Sequence, residues 1–162
     1  MPVHILDIHD KVDRGEVFFI NKTFLEVPNN GSVYLRHVTG DTQHLHSILN
    51  IETSSQWQFT SFIGTTYTDN GTILNPINRR SDSTRSLKSV FYHTPTIDVL
   101  GSERLDFMFG VGANPSNVST SQLSDNLESI FAPNSDVLIR LTNLSGSIKY
   151  ISTIFNVYEE KK

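Results

Sequence analysis

Beyond Gly15 the chain alternates apolar and polar residues along short runs, and clusters of Gly, Pro and Asn break those runs about every ten residues. Side chains on a strand point alternately to opposite faces, so runs of this kind bury their apolar face by stacking one sheet on another. Ser32-Val33-Tyr34-Leu35-Arg36-His37-Val38 sets Val33, Leu35 and His37 on one face. Leu45, Leu49 and Ile51 share a side within His44–Ile51, as do Trp57 and Phe59 within Gln56–Ile63. Leu105, Phe107 and Phe109 alternate through Arg104–Gly110. In the last and longest run, Ile151, Thr153, Phe155 and Val157 lie on one face, and Tyr150, Ser152, Ile154, Asn156 and Tyr158 on the other. Thr23–Val27, Leu87–Tyr92, Thr94–Ile97 and Val137–Asn143 bring the expected total to about eight or nine strands. Pro28-Asn29-Asn30-Gly31, Gly40-Asp41 and Asp69-Asn70-Gly71 supply turns. This pattern predicts an all-β fold, an antiparallel β-sandwich of jelly-roll type. Residues 65–85 are expected as a long exposed excursion, and Gly112–Ser124 as a polar loop.

The first sixteen residues follow a different rule. Ile5, Ile8 and Val12 sit at a loose helical spacing with Asp7, Asp10 and Asp13 between them, and Arg14-Gly15 stops the helix. Three apolar positions bury too little surface to hold a lone helix, so this segment leans on something. It is either a turn of helix packed on its own domain or an arm that docks on a neighbouring chain. The expected organisation is therefore an N-terminal arm over residues 1–16 and a sandwich domain over residues 17–162.

A chain of 162 residues buries roughly 70% of its unfolded surface as one domain and needs no metal or disulfide to fold. Cysteine is absent, which rules out disulfides and thiolate chemistry. The net charge is −4 and no basic run exceeds two residues, which argues against broad electrostatic binding to nucleic acid. Met1–Ile8 lacks the basic start and apolar stretch of a secretory signal, and no segment approaches the roughly 18 apolar residues of a membrane span. The expectation is a soluble protein with no membrane partner.

Candidate chemistry is sparse. His44 and His46 would face the same way on a strand, but no firm third metal ligand lies nearby in sequence. His4, His9, Asp7, Asp10 and Asp13 lack the glycine and terminal Glu of a calcium loop. Neither a G-x-S-x-G elbow nor a phosphate-cradling glycine loop occurs. No catalytic, metal-binding or cofactor-binding residue is expected. Arg79, Arg80 and Arg85 form the densest basic cluster, with Asp82 among them. They could pair with acidic groups on a neighbouring subunit, and Asn78 and Arg80 could equally fix their own loop through backbone hydrogen bonds.

Several segments taken in order resemble small virion proteins of tailed bacteriophages, of the head-decoration or capsid-cement type. They are His9-Asp10-Lys11-Val12-Asp13-Arg14-Gly15-Glu16-Val17-Phe18, then Leu74-Asn75-Pro76-Ile77-Asn78-Arg79-Arg80-Ser81 after the Asn-Gly turn. Tyr92-His93-Thr94-Pro95-Thr96 follows, and Leu138-Ile139-Arg140-Leu141-Thr142-Asn143-Leu144-Ser145-Gly146-Ser147 leads to a closing Val157-Tyr158-Glu159. Where proteins of that type carry a more glycine-rich segment before the penultimate strand, Gly110-Val111-Gly112-Ala113 here gives way to an Asn- and Ser-rich stretch.

The resemblance implies a structural protein of the virion, made in the host cytoplasm. It would bind the major capsid protein on the outer surface of an assembled head, as a homotrimer. A ligand that binds only the assembled state stabilises it by mass action, and a trimer touching several capsomers adds multivalency. The partner-binding residues it implies are Ile5, Ile8, Val12 and Arg14 in the arm, with Asn78, Arg79, Arg80 and Arg85 beside it. One alternative is a phage tail or fibre protein that binds host-surface carbohydrate, with Trp57, Tyr67 and Tyr92 as stacking platforms. A more distant alternative is a small β-sandwich hydrolase, which requires a cleft with converging acid or His side chains.

Overall fold

The computed structural model describes residues 8–110 and 128–161. One short helix, α1 (Ile8–Asp13), precedes the strands β1 (Phe18–Val27), β2 (Ser32–Val38), β3 (His44–Glu52) and β4 (Trp57–Ile63). Five short strands follow: β5 (Thr66–Asp69), β6 (Thr72–Leu74), β7 (Ile77–Asn78), β8 (Val90–His93) and β9 (Thr96–Val99). The remainder are β10 (Ser102–Phe109), β11 (Glu128–Phe131), β12 (Asp136–Asn143) and β13 (Lys149–Glu160). The polar loop expected over Gly112–Ser124 lies outside the described residues.

Two large antiparallel sheets stack into a sandwich. The first runs β11-β3-β13-β1-β7 and the second β10-β4-β12-β2-β8-β6, while β5 and β9 pair as a separate ribbon. Phe155 of β13 lies between Ile20 and Leu49, and Leu141 of β12 lies between Phe59 and Val33. These registers put the alternating apolar positions on the inner faces. Trp57, Phe91, Phe155, Ile20, Leu35, Leu45, Ile51, Leu141 and Ile151 are the largest of the fully buried core side chains. Each contributes roughly 1.5–3 kcal/mol relative to remaining exposed. The inner face of β13 is Ile151, Thr153, Phe155 and Val157, as its alternation requires.

The excursion after β4 is more structured than the sequence suggests. Residues 65–85 contain β5, β6 and β7, and Leu74 is buried. From β6 at the edge of the second sheet, Asn75-Pro76 carries the chain to β7 at the edge of the first. This crossing laces shut the β1/β2 side of the sandwich. Gly71 makes the turn before it at φ +86°, where an added Cβ would lie 2.3 Å from the His93 carbonyl oxygen.

The β5–β9 ribbon folds over the outer face of the second sheet, and Arg36 is the post beneath it. Its guanidinium donates to both Asp136 oxygens at 2.9 and 2.7 Å and to Asn70 Oδ1 at 2.6 Å. Tyr67 and Tyr92 stack on it with ring centroids 3.9 and 5.4 Å away. Arg36 is the one charged group that β2 turns outward into this layer, and it is buried with its donors engaged. At the opposite end Asn143 is fully buried. It donates to the carbonyls of Val27 and Ser147 at 2.8 and 2.7 Å and accepts from the Ser145 amide at 2.9 Å. That accounts for the Thr142-Asn143-Leu144-Ser145-Gly146 sequence, since the Asn side chain builds the turn.

Candidate interaction surface

Helix α1 packs on its own domain, and the residue that anchors it is Lys11 rather than the apolar positions. Ile8 and Val12 are half-buried and Arg14 is exposed, whereas Lys11 is 3% exposed. Ile5 lies outside the described residues. The Lys11 Nζ sits 3.1 Å from Glu160 Oε1 and 4.3 Å above the centroid of the Tyr158 ring. Tyr158 is on the outer face of β13, and the helix covers it, so a position that reads as solvent-facing is buried. Around it Tyr158 Oη donates to Glu128 Oε1 at 2.8 Å, and the His46 ring stacks on the phenol at 4.4 Å.

His46 bridges two carboxylates, with Nδ1 2.8 Å from Glu128 Oε1 and Nε2 3.5 Å from Glu160 Oε2. Burial pushes the Glu128 carboxyl up, but hydrogen bonds from Tyr158 and His46 outweigh it and hold the carboxyl below its usual range. Burial first, and then the Glu128 hydrogen bond, push the Tyr158 phenol well up. A surface cavity of about 470 Å³ lies beside His44, His46, Ile130 and Glu160. His44 and His46 do share a face there. No group of three or more His, Asp or Glu takes metal-holding geometry among the described residues.

The predicted loop residues Asn78, Arg79, Arg80 and Arg85 contact the segment from Asp13 to Val17, and Arg14 shares Glu16 with Arg85. Asn78 Nδ2 donates to the Gly15 carbonyl at 2.9 Å while its Oδ1 accepts from the Arg80 amide at 2.9 Å. The Arg80 guanidinium donates to the Asp13 carbonyl and, at 2.7 Å, to Asp82 Oδ1. Arg14 and Arg85 reach the two oxygens of Glu16 at 3.4 and 3.1 Å. Arg79 donates its amide to the Val17 carbonyl at 2.9 Å and lays its guanidinium over Phe19 at 4.8 Å. Gly15 takes φ +67°, and a Cβ there would fall 2.3 Å from Ser83 Oγ. Residues 13–16 are thus clasped by the 78–85 loop, and this basic cluster fixes the junction between α1 and β1.

The opposite side of the sandwich ends, among the described residues, in two unpaired strand edges. Its edges are β10 in the second sheet and β11 in the first. Leu105, placed in the core by its alternation, is instead 43% exposed, and Phe107 is half-buried while Phe109 is buried. Among the described residues, β11 offers four residues opposite the eight of β10. Beside Leu105, Ile63 at the end of β4, Val99 at the end of β9 and Leu100 after it are also exposed, as is Met108 on the outer face of β10. Asp106, between them, accepts from Gln58 and Thr60. Five large apolar side chains are thus exposed on or beside β10, on both of its faces, and comparable exposure recurs at Leu25, Ile73, Ile77, Ile130 and Ile148.

The aromatic residues of the carbohydrate reading are occupied. Trp57 is fully buried with its indole N–H on Ser55 Oγ at 3.0 Å, and Tyr67 and Tyr92 lie against Arg36. No helix among the described residues is long and apolar enough to cross a membrane. No family model, curated protein or solved structure matches this chain.

Proposed function

We propose that the chain is a structural protein of a phage virion, one that attaches to the outer surface of an assembled capsid and stabilises it. The observation that carries this reading is the set of exposed apolar side chains Ile63, Val99, Leu100, Leu105 and Met108 on and beside the β10 edge of a densely cross-bonded sandwich. A pre-folded domain with an apolar edge suits a clamp, because its binding energy is not spent on ordering the domain. The N-terminal helix belongs to the same pre-folded unit, because Lys11 and the clasp at residues 13–16 hold α1 on the sandwich.

The strand order supports the jelly-roll assignment. Strands β1, β13, β3 and β11 alternate with β2, β12, β4 and β10, so that the chain ends nest inside one another across both sheets. The capsid protein as partner and the trimer as assembly state rest on the sequence resemblance. The test is co-sedimentation of the purified chain with phage heads, alongside Leu105→Glu and Met108→Glu variants. Saturable binding by the parent chain that falls at least tenfold in either variant is expected. Binding that survives both charges would remove the edge from the interface.

A further inference from the structure

Four strands each turn a polar side chain into the sandwich near its β10 and β11 edges. His37 comes from β2, Ser61 from β4, Ser47 from β3 and Ser129 from β11. Ser47 and Ser129 are direct cross-strand partners. All four line one cavity of about 40 Å³ between the sheets, whose remaining walls are largely Phe, Leu, Ile and Val. Arg104 and Leu105 of the β10 edge stand at its outer end, where the β-bulge between Glu103 and Leu105 loosens the strand.

Two of these groups are short of partners in the protein. His37 is 1% exposed and Ser61 is 2% exposed. Among the described residues, neither ring nitrogen of His37 nor the Ser61 hydroxyl has a hydrogen-bond partner. The imidazole is held between Phe91 and Phe131, with centroids 5.5 and 4.4 Å away, and neither ring offers a polar atom. A buried donor or acceptor left unpaired costs about 1–3 kcal/mol, so a stable core needs something to satisfy these atoms.

We propose that this cavity is an internal hydration site, in which water links the His37 imidazole and the Ser61 hydroxyl. Size and chemistry both select this ligand. A water takes about 30 Å³ of liquid volume and a site needs two to four polar partners to hold one; drug-sized ligands need roughly 300–1,000 Å³. By the volume open to water-sized spheres, of which one water needs about 10–15 Å³, the cavity accommodates roughly two or three waters, enough to span from β2 to β4, and Ser47 and Ser129 supply further hydroxyls. One buried water per about 27 residues is ordinary in globular proteins, and those that persist sit on polar groups of this kind.

Two measurements on the folded protein test the site. Xenon enters dry apolar cavities and not polar hydrated ones. Under xenon pressure the methyl resonances of Leu49, Val137 and Ile139 are expected to show no saturable shift. A saturable shift at these methyls would mean a dry cavity and would overturn the proposal. The second measurement counts long-lived waters by ¹⁷O relaxation dispersion in the parent chain and in Ser61→Val. Loss of at least one long-lived water in Ser61→Val is expected, and an unchanged count would overturn the bridge. Should Ser61→Val fail to fold, Ser129→Ala on the edge strand takes its place with the same expected loss and the same overturning result.

Discussion

His37 makes the stability of the sandwich depend on mild acid. Its imidazole is enclosed between the sheets, and burial pushes its pKa down from 6.5 to about 4, with nearby Asp136 opposing and Arg104 adding to that shift. Above pH 6.5 the ring is neutral in both folded and unfolded chains and has no pH-linked effect. Below 6.5 the unfolded chain takes up the proton and the folded chain does not, so stability falls until the pH reaches about 4. The gap between 6.5 and about 4, at ~1.36 kcal/mol per pH unit, corresponds to about 3 kcal/mol. His37→Leu removes the titrating group and keeps an apolar side chain in the space. Urea unfolding at several pH values between 7.5 and 4.5 reads the effect, with the single buried Trp57 as fluorescent reporter. Carboxylates contribute in the same range, so the informative quantity is the parent-minus-variant difference. It should widen by about 2–3 kcal/mol as the pH falls across that window. Two stability curves that stay parallel from pH 7.5 to 4.5 would refute the burial argument.

Three further substitutions probe other parts of the structure. Phe155→Ala should cost about 3–5 kcal/mol in urea unfolding, because Phe155 packs at the centre of the first sheet's inner face; a change within about 0.5 kcal/mol would mean the faces of β13 are reversed. Arg36→Met should cost about 2–3 kcal/mol, less than for a fully buried pair because Asp136 is 36% exposed and water screens it. The same variant should make the β5–β9 ribbon exchange amide hydrogens faster than the two main sheets, and uniform protection would contradict Arg36 as its support. Thr94 is a β-branched residue held at φ +54°. Thr94→Asn should therefore raise stability by about 0.5–1 kcal/mol, and a loss of stability would show that the Thr94 methyl packs usefully.

The sandwich was legible in the sequence wherever a strand is long and covered on one side. The inner face of β13 follows its alternation residue by residue, and Leu35 and His37 of β2 are buried as theirs requires. The alternation of β10 is equally clean, yet Leu105 is exposed, because alternation reports which face a residue takes and not whether a facing strand covers it. Strands β5, β6 and β7 escaped notice since two to four residues carry no period to read. In the sequence the 78–85 loop stands out by its basic cluster and the N-terminal segment by its helical spacing. Their mutual clasp was invisible, being a contact between residues more than sixty positions apart. Lys11 was the least legible. A lysine is seldom buried, and only the outer-face partners Tyr158 and Glu160, at the far end of the chain, make a site for it.

Capsid attachment is tested most directly by co-sedimentation of the purified protein with phage heads isolated before and after DNA-driven expansion. Saturable binding to the expanded heads, and none to the unexpanded ones, is the predicted result. Failure to bind heads in either state would contradict a capsid-stabilising role.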